Sequence, residues 1–258
     1  MAYKQISSAQ NPRFLELKKL LSSKGIHKQK SFFLWGEKFV NEILATSSEV
    51  AQQLIVSPQH EIKSNLPILE LSNELFKELD VFGTHSPILV CQLPELLEWQ
   101  NKTPSGLELL VAMSDPSNLG AVIRSSASFN VKKIILLKES ASPFHPRSVR
   151  ASAGNILKIK YEIGPSIHEL NQCLGEPLSQ YCLALDMNGE NLAHFKWPKS
   201  SYLLVGEEGR GIPANLKLRK IQIPTGEACV ESLNAGVALS IAMYTHYLQK
   251  PGPYRVDG

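Results

Sequence analysis

The sequence predicts an α/β fold, a mostly parallel sheet with helices on both faces, preceded by a smaller α/β unit. Three observations carry this expectation. From about residue 108, short apolar runs alternate with helix-periodic segments, the pattern of strands buried between helices. Just before it, "ELLEWQNKTPSG" turns polar and contains Pro and Gly, which separates two apolar bodies. A chain of 258 residues with 43% apolar content can bury one large core or two modest ones.

In the front unit, "NPRFLELKKLL" has helical periodicity, "SFFLWG" is strand-like, and "EKFVNEILA" is helical again. "QLIVS", "PILELS" and "SPILVCQLP" add short strands. The second unit opens with "ELLVAM" and a helix from Asn118 to Phe129. "KKIILLK", a short helix around Arg147 to Ala153, "ILKIKYEI" and a helix near "IHELNQCL" follow. "YCLALDM", "SYLLVGEE" and "KIQIP" are strands, and a long helix runs from about Ser232 to Leu248. The expected boundaries are a first domain over 1–97, a linker at 98–107, a second domain over 108–250, and a tail at 251–258.

No apolar run approaches the roughly 18 residues that span a bilayer, and "MAYKQISSAQ" lacks a signal-like apolar stretch. A soluble, cytoplasmic protein is expected. Cys91, Cys173, Cys182 and Cys229 form no CxxC pair and no metal-ligand spacing with histidine, so neither disulfide nor zinc is expected. The net charge of +3 does not itself specify a nucleic-acid partner. Residues 1–40 nevertheless carry eight Lys or Arg, among them Arg13 and Lys18, against Glu16 and Glu37. Such a stretch is either a phosphate-binding footprint or a solvated helix face.

Ligands on parallel sheets sit at strand carboxyl ends, and three such ends carry unusual residues. In "SDPSNLGAVIRSSASFN", an Asp-Pro turn precedes Asn118, which can cap the helix, and a single cation, Arg124, follows on it. In "VGEEGRGIP", Gly206, Gly209 and Gly211 let backbone groups approach a ligand and hold Glu207 and Glu208 between them. In "IPTGEACVESLNAGVALSIAMY", a strand ends at Pro224, a loop follows, and Ser232 and Asn234 sit at the start of an apolar helix. Taken singly, these read as a surface arginine, a turn and an N-cap.

Together and in this order, the three stretches resemble the SpoU (TrmH-like) family of SPOUT RNA ribose 2′-O-methyltransferases. "DPSNLGAVIRSSASF", "RASAGN", "LLVGEEGRGI" and "ESLNAGVALSIA" carry the resemblance over residues 108 to about 250. "ISSAQNPRFLELKKLL" with "FFLWGEKFVNEIL" looks like the family's RNA-substrate-binding domain. Two details depart from the pattern. Asn130 stands where a glycine is common, and the third stretch is one residue longer than usual, with an earlier glycine.

The resemblance implies a deep trefoil knot in the second domain, S-adenosylmethionine as cofactor, RNA as partner and a homodimer built through the knot. The cofactor positions it implies are Gly206, Gly211, Ile223 and Leu233, and the catalytic set is Asn118, Arg124, Glu208, Ser232 and Asn234. Glu208 is expected to orient Arg124 or the ribose. Arg124 itself reads as a phosphate clamp and electrostatic stabiliser, because a guanidinium is hard to deprotonate in a protein. Arg13, Lys18, Arg147 and Arg150, with His145, are expected to touch RNA. The basic front favours ribosomal over transfer RNA. A silent RNA-binding protein would not need Arg124 and the glycine loop together, and an ordinary dinucleotide enzyme would carry its glycines after an early strand.

Overall fold

The computed structural model describes residues 4–60, 62, 64–226 and 233–249. The chain forms two compact units, one built on the chain up to Glu95 together with Ser142–Gly154, the other on Leu96–Ala141 and the chain from Asn155 onward.

The front unit runs β1 (Lys4–Ile6), α1 (Pro12–Lys19), α2 (Ser23–Gln29), β2 (Ser31–Leu34), α3 (Glu37–Thr46), β3 (Ala51–Val56), β4 (Ile68–Leu71), α4 (Asn73–Leu79) and β5 (Ile88–Gln92). Its sheet has the order β1-β4-β3-β5-β2, with β1, β4 and β3 parallel and β5 antiparallel to β3 and β2. Asn11 starts α1 by accepting from the Arg13 N–H at 2.9 Å, with Pro12 preset in the first turn. The apolar face of α1, Phe14 and Leu17, is buried. Helix α2 contains Gly25 because a Cβ there would lie 1.9 Å from the Lys19 carbonyl oxygen, so only glycine permits that approach.

In the second unit the chain forms β6 (Leu97–Glu98), β7 (Leu107–Val111), α5 (Pro116–Ser128) and β8 (Lys133–Leu136). The excursion through the front unit carries α6 (Pro146–Ala151), where Phe144 packs on Phe32 with ring centroids 4.9 Å apart. After it come β9 (Lys160–Ile163), α7 (Leu170–Ser179), β10 (Cys182–Asn191), β11 (Ser201–Val205), β12 (Arg219–Gln222) and α8 (Ala235–Gln249). The sheet order is β12-β10-β11-β7-β8-β9-β6 and every neighbouring pair is parallel. Leu110, Ile135, Tyr202 and Leu204 pack against Ile167, Leu170 and Leu174. Helices α5 and α8 lie side by side, joined by Ser240 Oγ donating to Ser125 Oγ at 2.8 Å.

The stretch expected as a linker, 98–107, is built into this second unit at its start. Glu98 pairs in β6 with Ile163, and Trp99 is buried, its indole N–H donating to the Tyr202 hydroxyl at 3.2 Å. Asn130 ends α5 with φ +60°, the left-handed backbone that lets it stand in for glycine. The tail expected at 251–258 lies outside the described residues.

The amino end of this sheet carries an ion cluster. Lys133 Nζ lies 2.8 Å from Glu162 Oε1 and 3.5 Å from Glu108 Oε2, while the Ser105 N–H donates to Glu108 Oε1 at 2.9 Å. Burial alone would push the Lys133 ammonium down; the hydrogen bond to Glu162 and the charges of both carboxylates prevail and hold it above the usual lysine range.

Candidate active site

The opposite, carboxyl end of the sheet gathers the three unusual stretches. Past β7 the chain turns at Ser114, and Asp115 caps α5, its Oδ1 accepting from the N–H groups of Ser117 at 2.8 Å and Asn118 at 2.9 Å. Pro116 follows in the first turn, where its missing N–H costs nothing. The cap is therefore Asp115, not Asn118. The Asp-Pro dipeptide was the signal, since a cap takes the position before the first-turn proline. Asn118, one turn in, is left to work sideways.

The second stretch reaches Asn118 through Glu208. Glu207 and Gly211 exchange both backbone hydrogen bonds, closing the loop after β11 into a tight turn. Gly209 and Gly211 adopt φ +87° and +67°, where a side chain would be strained. A Cβ at Gly206 would meet the Gly211 carbonyl at 2.3 Å. That glycine is required by closure of the loop on itself.

Glu208 projects to the first loop and accepts from the Ser114 N–H at 3.0 Å, the Ser114 hydroxyl at 3.1 Å and the Asn118 amide at 3.2 Å. Burial pushes its carboxyl up, but the donors from Ser114 and Asn118 outweigh it and hold the group below the usual carboxylate range. The expectation that Glu208 orients Arg124 is corrected: its acceptor capacity is taken by the first loop. Ser114, which the sequence did not single out, completes this grip.

The third stretch closes the chain of contacts. Asn234 Nδ2 donates to Asn118 Oδ1 at 3.3 Å, while Asn234 Oδ1 accepts from Gly236 N at 2.9 Å and Val237 N at 3.2 Å, capping α8. The long helix accordingly begins at Ala235, not Ser232. Asn118, Glu208 and Asn234 are brought together as one network linking three loops; Ser232 lies outside the described residues. Ile223 follows β12 and Leu233 precedes the Asn234 cap, both half-buried.

Arg124 stands apart from that network. It is exposed on α5, six residues past Asn118, about 120° around the helix at ~100° per residue. Its guanidinium meets no acceptor among the described residues.

The remaining cations expected to meet RNA lie in the front unit. Arg13 pairs with Glu16 at 3.3 Å and donates to Gln53 Oε1 at 3.1 Å, and Lys18 pairs with Glu78 at 2.6 Å. Both are half-exposed, so their charge is only partly spent. Arg147 and Arg150 are exposed on α6, Arg150 lying 5.9 Å from the centre of the Phe82 ring. His145 caps α6, its Nδ1 accepting from the Arg147 N–H at 3.2 Å.

The network joins motif loops that a family model describes. Residues 109–244 match the model of the SpoU rRNA Methylase family. The chain belongs to that family. It is 30% identical over 253 residues to the Bacillus subtilis 23S rRNA (guanosine(2553)-2′-O)-methyltransferase RlmP, covering 93% of this chain and 98% of that protein. It is 36% identical over 249 residues to the Ribosomal RNA small subunit methyltransferase G 2 of Syntrophobacter fumaroxidans; the match takes in 94% of this chain but only 49% of that relative's length. The fold matches that of the AdoMet-bound rRNA methyltransferase from Sinorhizobium meliloti, with TM-score 0.79, 20% identity, and 97% and 99% of the two chains covered. It also matches the SpoU methyltransferase AviRb of Streptomyces viridochromogenes in complex with AdoMet, with TM-score 0.75, 18% identity, and 93% and 98% covered.

Proposed function

We propose that this SpoU-family chain is an S-adenosylmethionine-dependent methyltransferase acting on a ribose 2′-hydroxyl of ribosomal RNA. The observation that carries the reading is the Glu208–Asn118–Asn234 network, which locks the three family motifs together at the carboxyl end of a parallel sheet. The names of the rRNA methyltransferase relatives support the substrate class.

The residues present fit the cofactor. The glycine turn leaves open space over Gly209 and Gly211, and half-buried apolar Ile223 and Leu233 stand at neighbouring loops, so backbone groups and apolar contacts are available to an uncharged adenosyl group. When bound, S-adenosylmethionine supplies an activated methyl group for in-line displacement by oxygen. The chain's own work is positioning. Glu208, Asn118 and Asn234 fix the loops; Arg124, permanently charged and uncommitted, clamps RNA phosphate and stabilises charge developing on the 2′-oxygen. The hydroxyl proton passes to an RNA phosphate or to water. Ser232 is assigned a hydrogen bond in the site, and Arg13, Lys18, Arg147 and Arg150 backbone contacts in a front domain that holds RNA.

The strand order supports a knot. β11 lies between β7 and β10, β12 lies outside β10, and α8, after β12, packs on α5. The same helix supports a homodimer. Val237, Ile241, Tyr244 and Leu248 are 36–58% exposed at spacings of four, three and four, one apolar stripe along the helix. The proposed workplace is the cytoplasm; among the described residues no helix is long and apolar enough to cross a membrane.

The test is methyl transfer from S-adenosylmethionine to unmodified ribosomal RNA and, in parallel, transfer RNA, read by 2′-O-methyl mapping. A single modified ribose in ribosomal RNA is expected. Modification of transfer RNA alone would overturn the substrate, and methylation of a base would overturn the chemistry.

A further inference from the structure

The front unit holds a concavity of about 560 Å³ that none of the three loop stretches of the candidate active site lines. Arg13, Gln29, Ser31, Gln52 and Gln53 line it above a floor that includes the buried Leu17 and Leu20. Gln52 and Gln53 are consecutive on β3, and in an unbroken strand neighbours point to opposite faces. Both line the cavity because the strand is bulged there. The register passes from Ala51↔Cys91 to Gln53↔Val90, so Gln52 is an extra residue, the device by which sheets re-aim side chains.

The polar groups around the cavity are already oriented. Gln53 Oε1 faces the Arg13 guanidinium, which only donates, so Gln53 Nε2 is turned outward as a donor. Gln29 Nε2 donates to the Glu16 carbonyl, which leaves Gln29 Oε1 as an acceptor. Gln52 Oε1 accepts from Ser31 Oγ at 2.8 Å, leaving its amide N–H groups. No hydrogen bond occupies these outward atoms among the described residues, and the lining holds no carboxylate. Amide donors and acceptors beside a guanidinium, over an aliphatic floor, are the groups that read the edge and cover the face of a base splayed out of a strand.

We infer that this concavity receives an unpaired nucleobase of the RNA substrate. The inference rests on the reading that the chain acts on RNA. It assigns the front unit a base-reading site in addition to backbone contacts, so part of substrate choice is made away from the methyl-transfer site.

The experiment is fluorescence anisotropy with the full-length chain and RNA of about ten nucleotides, single-stranded, fully duplex, or single-stranded with abasic positions. Gln52→Ala/Gln53→Ala removes the amides, and Gln52→Trp fills the space while leaving Gln53 in place. Circular dichroism and S-adenosylmethionine affinity report folding of both. Each variant is expected to weaken single-strand binding roughly tenfold and duplex binding less than twofold, and abasic RNA should bind wild type and variants alike. Single-strand affinity equal to wild type in folded variants, or an equal loss for duplex RNA, overturns the site alone. A wild-type chain that binds none of these RNAs overturns the RNA reading and the site with it.

Discussion

The two ends of the parallel sheet use charge in opposite ways. At the amino end the buried charges are paired: Lys133 sits between Glu108 and Glu162, and Glu108 is 4% exposed. At the carboxyl end, Glu208 is satisfied by an amide, a hydroxyl and backbone N–H groups, and Arg124 on α5 has no ion-pair partner among the described residues. The first arrangement consumes its ions to hold strands together. The second fixes geometry with neutral donors and leaves a cation exposed.

The contrast breaks most visibly at Arg124. Replacing it by Ala should lower single-turnover methyl transfer by about 10²–10³-fold, while stability stays within about 0.5 kcal/mol because the side chain is exposed and meets no acceptor among the described residues. Arg124→Lys keeps the charge without the planar fork and should fall between the two. A lysine enzyme that recovers wild-type rate steeply at alkaline pH would mark the residue as a base and remove the clamp.

Lys133→Met should do the reverse. Two largely buried carboxylates lose their counter-ion, at a cost of about 3 kcal/mol in urea denaturation, with the rate per folded molecule unchanged. The pH window follows from the raised pKa. A lysine held above its unfolded value contributes fully below about pH 10.4 and loses that contribution as pH rises through the folded value. The variant should therefore be insensitive to pH only on the alkaline side.

Glu208→Gln should cost about 1 kcal/mol of stability, as for a half-buried acceptor, with methyl transfer reduced by roughly tenfold through loosened loops. Its carboxyl is depressed, so the wild-type contribution is present above the unfolded value near 4.3 and lost as pH falls through the folded one. Acid denaturation curves for wild type and variant should converge at low pH. Curves that stay parallel would mean Glu208 is not the group that grips Ser114.

Much of the fold was legible because apolar runs and helical periods alternate so plainly after residue 108. What escaped was short or depended on distant residues. β1 has three residues, too few to show a period. Helix α2 carries Gly25, which reads as a breaker until the Lys19 carbonyl is seen against it. In the site, residue types marked the right loops, yet their partners did not follow from spacing. Glu208 could as well have faced Arg124; only the fold shows it 90 positions away in sequence from the asparagine it holds. Sequence also gave no hint that Ser142–Gly154 belongs with the front unit, because nothing local distinguishes a loop that stays from one that departs.

That excursion sets an order on how the molecule is made. Phe144 fills against Phe32, and a Cβ on Gly154 would strike the Phe39 ring at 2.5 Å, so the front unit's own packing includes atoms from far downstream. During synthesis, a nascent chain released only to Glu95 lacks them, and that part of the packing is completed only roughly sixty residues later, some seconds at ~5–20 residues per second. The amino-terminal body therefore matures while the central strands of its neighbour are already emerging.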